Sequence, residues 1–334
     1  MVDAARTKIS LKYNGKDISA DISRDLIRFE YTDNASGKVD DLQITLQDRE
    51  GLWRGEWFPE KGARLTASIE PAFGGGALFC GSFEIDEIEV SGPPQVATIK
   101  AVSTPVTSSI RGEKKTRAWE GTSLEDICSE IALGGKMSLF YDAGAIKYDR
   151  VDQRDESDLA FMERLCKESG LNLKVGNDRV VVYDEQKFEG KKPVLTIDVG
   201  AGDVSRYTVK TALTGVYRAA EVKYRDPNSN VVRVFVFEPE PAPKVGKTLK
   251  IRRRVDSLGA ARELCRRELR NANKGEFVAS FSMPGHPAVQ AGQNIVANGM
   301  ASLSGTYHIE TARHSIDVSG GYTCEAECHR ILAY

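Results

Sequence analysis

Three groups of residues in this chain have the types and spacing to do chemistry. The first is Cys324, Cys328 and His329, with His308 and His314 upstream, soft ligands of the kind that hold zinc. On a strand, however, Cys324 and Cys328 share a face while His329 points away, and no Cys-x-x-Cys knuckle accompanies them. The second is "VGKT", Val245–Thr248, which resembles the end of a phosphate-binding loop. That motif needs a glycine where Pro241 stands and a helix afterwards, whereas the strand-like run "LKIRRRV" follows. The third is Asp155, Glu156 and Asp158, hard ligands for a divalent cation. They precede a helical pattern, where exposed N–H groups favour negative charge, so capping accounts for them.

Nucleophilic catalysis fares no better. There is no Gly-x-Ser-x-Gly elbow, and no Cys or Ser stands beside a histidine and an acid. A paired-carboxylate hydrolase needs no local signature, and 48 acidic residues could assemble one, so a cell-wall-directed hydrolase or glycan-binding module stays as the alternative function. No cofactor, metal or catalytic residue is expected. The net charge of −2 over 334 residues gives no global pull toward nucleic acid or an anionic membrane, and no zinc, helix-turn-helix or RNP pattern appears. "KIRRRV" is a short basic run of the sort that forms a solvated face. No apolar run reaches the ~18 residues of a membrane span, and "MVDAARTKISLKY" has no signal-peptide core. The six cysteines are scattered, three on apolar positions of predicted helices, and read as reduced, buried thiols of a protein made in a cytosol.

What must position any site is mostly strand. "KISLKYNGKDIS" turns at Asn14-Gly15, a hairpin signal, and "DDLQITLQD" alternates Leu42, Ile44 and Leu46 inward. "ARLTASIEP", "SFEIDEIEV" and "QVATIKAVS" continue the pattern, predicting an antiparallel barrel over residues 1–108. Residues 109–192 predict a small α+β domain. In it "TSLEDICSEIALGG" is a helix with Thr122 and Glu125 as its capping box, and "ESDLAFMERLCKESG" a helix capped by Ser157 or Asp155. "LNLKVGNDRVVVYDE" follows as a hairpin turning at Gly176–Arg179.

From 193 to 334 strands resume, and with them three echoes. "DISR" (Asp21–Arg24) returns as "DVSR" (Asp203–Arg206), "LQITLQD" (Leu42–Asp48) as "AEVKYRD" (Ala220–Asp226), and "GSFEID" (Gly81–Asp86) as "GTYHIE" (Gly305–Glu310). Matched landmarks in order point to a duplicated module. A helix near 256–274, capped by Asp256 with Leu258, Ala261, Leu264 or Cys265, and Leu269 inward, explains the longer second copy. "PEPAPKVG" (Pro239–Gly246) is a bend within it. The fold class is therefore α+β and β-rich: two similar antiparallel barrels, a small α+β domain between them, and a helical insertion in the second barrel.

Four stretches together resemble the phage late control protein D family, the baseplate hubs of contractile tails, related to the hub part of type VI secretion spike proteins. They are "DREGLWRGEWFPEKGARLTASI", "CGSFEIDEIEVSGPPQVATIKAVS", "QRDESDLAFMERLCKESGLNLKV" and "PGHPAVQAGQNI" with "GTYHIETARHSIDVSGGYTCEAE". The resemblance implies a homotrimer whose duplicated barrels form a six-fold-like ring between a hexameric tail tube and a trimeric spike, with tape-measure and baseplate proteins as further partners. Because secretion-type relatives continue into a β-helical spike and this chain stops at Tyr334, the spike is expected to be a separate protein. The expected home is a virion tail or tail-like particle. Trp53, Trp57 and Phe58, in "LWRGEWFPEKG", are the candidate subunit-interface residues: either they plug the end of their own barrel or they anchor a neighbouring subunit.

Overall fold

The computed structural model describes residues 7–72, 74–103, 109–176, 178–225, 231–243, 246–255, 257–319 and 321–334. Asp256, Val245 and the end of "AEVKYRD" at Asp226, on which parts of the sequence reading fell, lie outside the described residues.

The first unit runs β1 (Lys8–Tyr13), β2 (Lys16–Asp17), α1 (Ser19–Asp25), β3 (Leu26–Asn34), β4 (Asp41–Gln47), β5 (Arg64–Glu70), β6 (Leu78–Ser91) and β7 (Val96–Val102). Alternation does what the pattern requires: Leu42, Ile44 and Leu46 on β4, and Leu65, Ala67 and Ile69 on β5, are buried in one core with Phe29 and Phe83. The middle unit has α2 (Ser109–Gly112), β8 (Lys114–Ser123), α3 (Leu124–Gly134), β9 (Ser138–Asp142), β10 (Lys147–Ser157), α4 (Asp158–Glu168), β11 (Asn172–Val175), β12 (Arg179–Tyr183) and α5 (Glu185–Glu189). Its core sets the stripes of α3 and α4, including Ile127, Cys128, Met162 and Leu165, against Val180 and Val182. The capping box is one residue later than expected. Ser123 and Asp126 make it, because Ser123 holds the extended backbone that lets its Oγ accept from the Asp126 N–H at 3.2 Å. Ser157 caps α4, accepting from the Ala160 N–H at 3.2 Å.

The last unit runs β13 (Leu195–Asp198), β14 (Arg206–Thr211), β15 (Tyr217–Arg225), β16 (Val232–Phe237), β17 (Lys247–Val255), α6 (Leu258–Asn273), β18 (Phe277–Pro284), β19 (Asn294–Asn298), β20 (Gly305–Asp317) and β21 (Gly321–Arg330). Strand pairing shows which parts repeat. The first unit orders its strands β3-β4-β7-β6-β5-β1, and the last β14-β18-β21-β20-β19-β13. "GSFEID" and "GTYHIE" are equivalent to the residue. Asp86 and Glu310 each form a bulge against the following strand, between Ile85 and Glu87 and between Ile309 and Thr311. Gly62 and Gly292, with φ of 81° and 80°, open the preceding strand, and their N–H groups donate to Ile85 and Ile309. The sixth strands differ, since β1 is antiparallel to β5 but β13 is parallel to β19.

Two of the echoes do not survive. Following the ladders outward, Ile44 on β4 corresponds to Phe281 on β18, and Phe29 on β3 to Tyr207 on β14. The counterpart of "LQITLQD" is thus "FVASFSMP", and "AEVKYRD" belongs to an insertion. In the same register "DVSR" matches Asp25–Arg28, "DLIR", whereas "DISR" lies four residues earlier in α1. The insertion is also larger than a helix. It comprises β15, β16, β17 and α6, with a core of its own around Ala220, Val222, Cys265 and Leu269. Ser257, not Asp256, accepts from the N-terminal N–H of α6, and Leu258 is 51% exposed, being too near the end to reach that core.

The two copies are joined edge to edge. β20 pairs with β3 from Thr311↔Asn34 to Asp317↔Arg28, which fuses both into one 13-stranded sheet. Ile316 and Tyr322 of the second copy pack into the core of the first.

Candidate functional site

The joint between the copies is the best-built feature of the molecule. Its inward face stacks Tyr31 on His314, with ring centres 6.0 Å apart and both residues buried. His314 lies between Tyr322 Oη at 2.8 Å from Nδ1 and the Val289 carbonyl at 2.7 Å from Nε2. A carbonyl only accepts, so Nε2 carries the proton and Nδ1 accepts from the tyrosine. Burial lowers the pKa of this imidazole, keeping it neutral.

The middle unit locks the joint from one end. Lys174 on β11 reaches Asp33 at 2.5 Å and Asp40 at 3.0 Å. Burial raises Asp40 to about 6, with Lys174 opposing and Asp33 adding to the rise. Asp33 also accepts from the Ala291 N–H at 2.9 Å, and Tyr183 Oη donates to the Ala35 carbonyl at 3.0 Å. One carboxylate therefore touches all three units. On the outward face a polar cleft of about 390 Å³ is lined by Glu30, Thr32, Arg313 and Glu327 among others, and in it the Thr32 hydroxyl donates to Asp41 Oδ1 at 3.3 Å.

A second cluster ties α5 to the last unit. Protonated His329, 1% exposed, donates from Nε2 to Glu189 at 3.1 Å and from Nδ1 to Glu310 at 3.0 Å. Burial disfavours the charged ring, but these two hydrogen bonds outweigh it and hold His329 up at about 9. Arg270 pairs with Glu189, and Lys274 bridges Glu185 at 3.1 Å and Glu310 at 3.0 Å. Burial, then the charge of His329, push His308 down to about 4. Asn294 Nδ2 already donates to the Phe188, Glu189 and Lys191 carbonyls, so its Oδ1 accepts from the His308 Nδ1–H at 2.7 Å. Glu185, Glu310 and His329 are close enough to share a cation. The Lys274 ammonium already bridges the two carboxylates, and both histidine nitrogens are engaged, so the cluster reads as a lock between units rather than a metal site.

The sequence candidates fall as follows. Trp53 is buried in the first core, its indole N–H donating to Asp25 at 2.8 Å, and Trp57 packs edge-on against it at 5.4 Å under the Arg24 guanidinium. Phe58 is 50% exposed. Cys324 and Cys328 are buried with thiol pKa values raised by burial, and His329 faces the opposite side, toward Glu189. Asp155, Glu156 and Asp158 serve ion pairs more than capping: they meet Lys114 at 3.2 Å, Arg164 at 2.5 Å and Lys115 at 2.6 Å. Sequence reasoning missed the Lys174 and His329 clusters, whose members are single charged residues far apart along the chain.

A tandem pair of β-units, joined by one ladder and braced by an α+β unit, is an arrangement shared with solved phage tail proteins. The tail protein of Neisseria meningitidis MC58 matches with a TM-score of 0.72, 11% identity and 97% coverage of both chains. The 43 kDa tail protein of prophage MuSo2 from Shewanella oneidensis matches at 0.70 and 14%, covering 97% of this chain and 98% of that one. An Escherichia coli component of the type VI secretion system, described as similar in structure to bacteriophage T4 tail proteins, matches at 0.59 and 14%, covering 97% and 77%. In sequence, the probable baseplate hub proteins of Escherichia phages P2 and 186 are each 29% identical, over 225 and 232 residues, or 65% and 67% of this chain. The chain spans less than two thirds of those relatives, whose matched shares are 57% and 58%. No family model matches. The resemblance to the baseplate hub family is thus borne out: in sequence this chain is similar to the probable baseplate hub proteins of two phages, and in fold to phage tail proteins. Among the described residues no helix is long and apolar enough to cross a membrane.

Proposed function

We propose that this chain is a structural baseplate hub of a phage tail or tail-like contractile particle. Three copies form a ring of six similar β-units that joins a hexameric tail tube to a separate trimeric spike. The observation that carries this reading is the internal duplication: two units of one strand order, bulged at the same residue and paired edge to edge. A closed three-fold oligomer of a two-unit chain presents six quasi-equivalent surfaces, which is what a six-fold partner requires. Residues 1–108 and 193–334 supply the ring, and 109–192 brace each chain, so that the hub docks as a rigid body. In this reading Phe58, the most exposed of the three aromatic candidates, anchors a neighbouring subunit. The role is structural rather than enzymatic, played in the assembled particle after synthesis in the bacterial cytoplasm.

Native mass measurement at assembly-like concentration, with the spike protein present, tests this. Three copies of the chain are expected, and monomer alone would overturn the reading. A clearing band on a peptidoglycan zymogram would overturn the purely structural role.

A further inference from the structure

The two copies leave complementary free ends. In the second copy β20 divides one edge between two neighbours, giving Gly305–His308 to β19 and the residues from Thr311 onward to β3. In the first copy β6 is divided at the same bulge. Leu78–Glu84 pairs with β5, but the stretch after Asp86 has β7 on one side and, among the described residues, no strand on the other. At the far end β14, the counterpart of β3, has β18 on one side and no strand on the other among the described residues. An open half-strand and an open edge strand therefore stand where the internal joint has its two partners.

We propose that the second half of β6 receives β14 of a second copy of this chain, in the register that β3 takes on β20. The correspondence is residue by residue. His314 faces Tyr31 in the internal joint, which places Val90 opposite Val209, and Arg313 faces Thr32, which places Glu89 opposite Lys210. Pairing spans Glu87 to Ser91 and stops before Pro93 and Pro94, which have no N–H to give a ladder.

Exposure marks the same surfaces. Tyr31, Ala312 and His314 are all buried in the internal joint, whereas their counterparts Val209 and Ile88 are only half-buried and Val90 is 40% exposed. Apolar side chains at inward-facing positions, on strands with an open edge, are what a missing neighbour leaves behind. Charge agrees: within the paired span exposed Glu89 of β6 faces exposed Lys210 of β14, while Glu87 is already paired with Lys100 of β7 at 2.9 Å. The occupant is a second copy because this ladder already exists within one chain. The contact is head-to-tail, so it closes into a ring once the turn per joint allows. This inference rests on the trimer reading for the number of copies; the edges supply the strands and the register.

The test places Glu89→Cys and Lys210→Cys in one chain and oxidises it mildly, the native thiols being buried. Disulfide-linked chains ending at three on a non-reducing gel are expected. The off-register pair Glu89→Cys with Thr208→Cys should give none, because diagonal Cα atoms lie beyond disulfide reach. Independently, Glu89→Lys should weaken association about tenfold, and Lys210→Glu in the same chain should restore it. Three copies by native mass, with no cross-link from the in-register pair, would overturn the joint and leave the trimer standing. In-register cross-links ending at another number would uphold the joint and overturn the trimer. Monomer by native mass with no cross-link would overturn both.

Discussion

Raising the pH should unlock this protein through His329. Its folded pKa stands at about 9 against 6.5 for the free side chain. A group held up in this way contributes fully below about pH 6.5, loses its contribution as the pH climbs, and contributes nothing above about 9. A difference of about 2.5 units at about 1.4 kcal/mol each makes this about 3 kcal/mol, a large share of a typical domain's stability. The perturbation is His329→Gln, which keeps a hydrogen-bonding side chain but cannot carry the charge shared between Glu189 and Glu310. The assay is the urea midpoint at intervals from pH 6 to 9 under reducing conditions. Wild type should lose stability steeply between about pH 6.5 and 8.5, while the variant begins lower and stays flatter. Above about pH 8.5 the buried thiols, whose pKa values burial raises, add a loss common to both proteins. His308 has the opposite sign. With its pKa lowered to about 4, its contribution is present at neutral pH and lost on acidification below about 6.5, and removing the neighbouring charge should make that acid limb shallower. Parallel decline of wild type and variant from pH 6.5 to 8.5 would refute the reasoning.

Lys174→Met should cost about 3 kcal/mol at pH 7, because it leaves Asp33 and Asp40 facing each other half-desolvated. Part of that should return at pH 5, where Asp40, already raised to about 6, takes up a proton; urea midpoints at the two pH values check it. Gly170→Ala should lower the melting temperature. The residue has φ of +67°, and a Cβ there would lie 2.7 Å from the Arg267 Cβ, forcing the end of α4 away from α6. Gly259→Ala in α6, where an added Cβ meets nothing within 4 Å, should be neutral or stabilise by up to about 1 kcal/mol. Phe281→Ala, which empties a fully buried site edge-on to Tyr307 at 5.5 Å, should cost about 3–5 kcal/mol, read by denaturant unfolding.

The repeat was legible where sequence carries geometry. A glycine, an inward aromatic, an inward isoleucine and an acid forced into a bulge leave few substitutes, so "GSFEID" and "GTYHIE" can be matched by eye. β4 and β18 impose no such demand. Any apolar alternation serves there, and the inserted β15 imitated it better than the true counterpart did. The joint was invisible because pairing between β3 and β20 depends on two edges some 280 positions apart meeting in space. The locks escaped for a related reason. Lys174, Glu189, Lys274 and His329 each resemble a surface charge until the fold gathers them, and His329 and Cys328, adjacent in sequence, face opposite sides of their strand. Caps moved by one residue, the usual scale on which helix ends resist reading.

The ladder between β20 and β3 also has a kinetic consequence. Its two strands belong to one chain, so they meet at an effective concentration set by the intervening polypeptide, which does not change when the protein is diluted. In the proposed ring of six units, joining them in this way would turn half of the encounters needed for closure into folding events. Dilution can then separate whole chains, but it cannot split the pair of units that each chain carries.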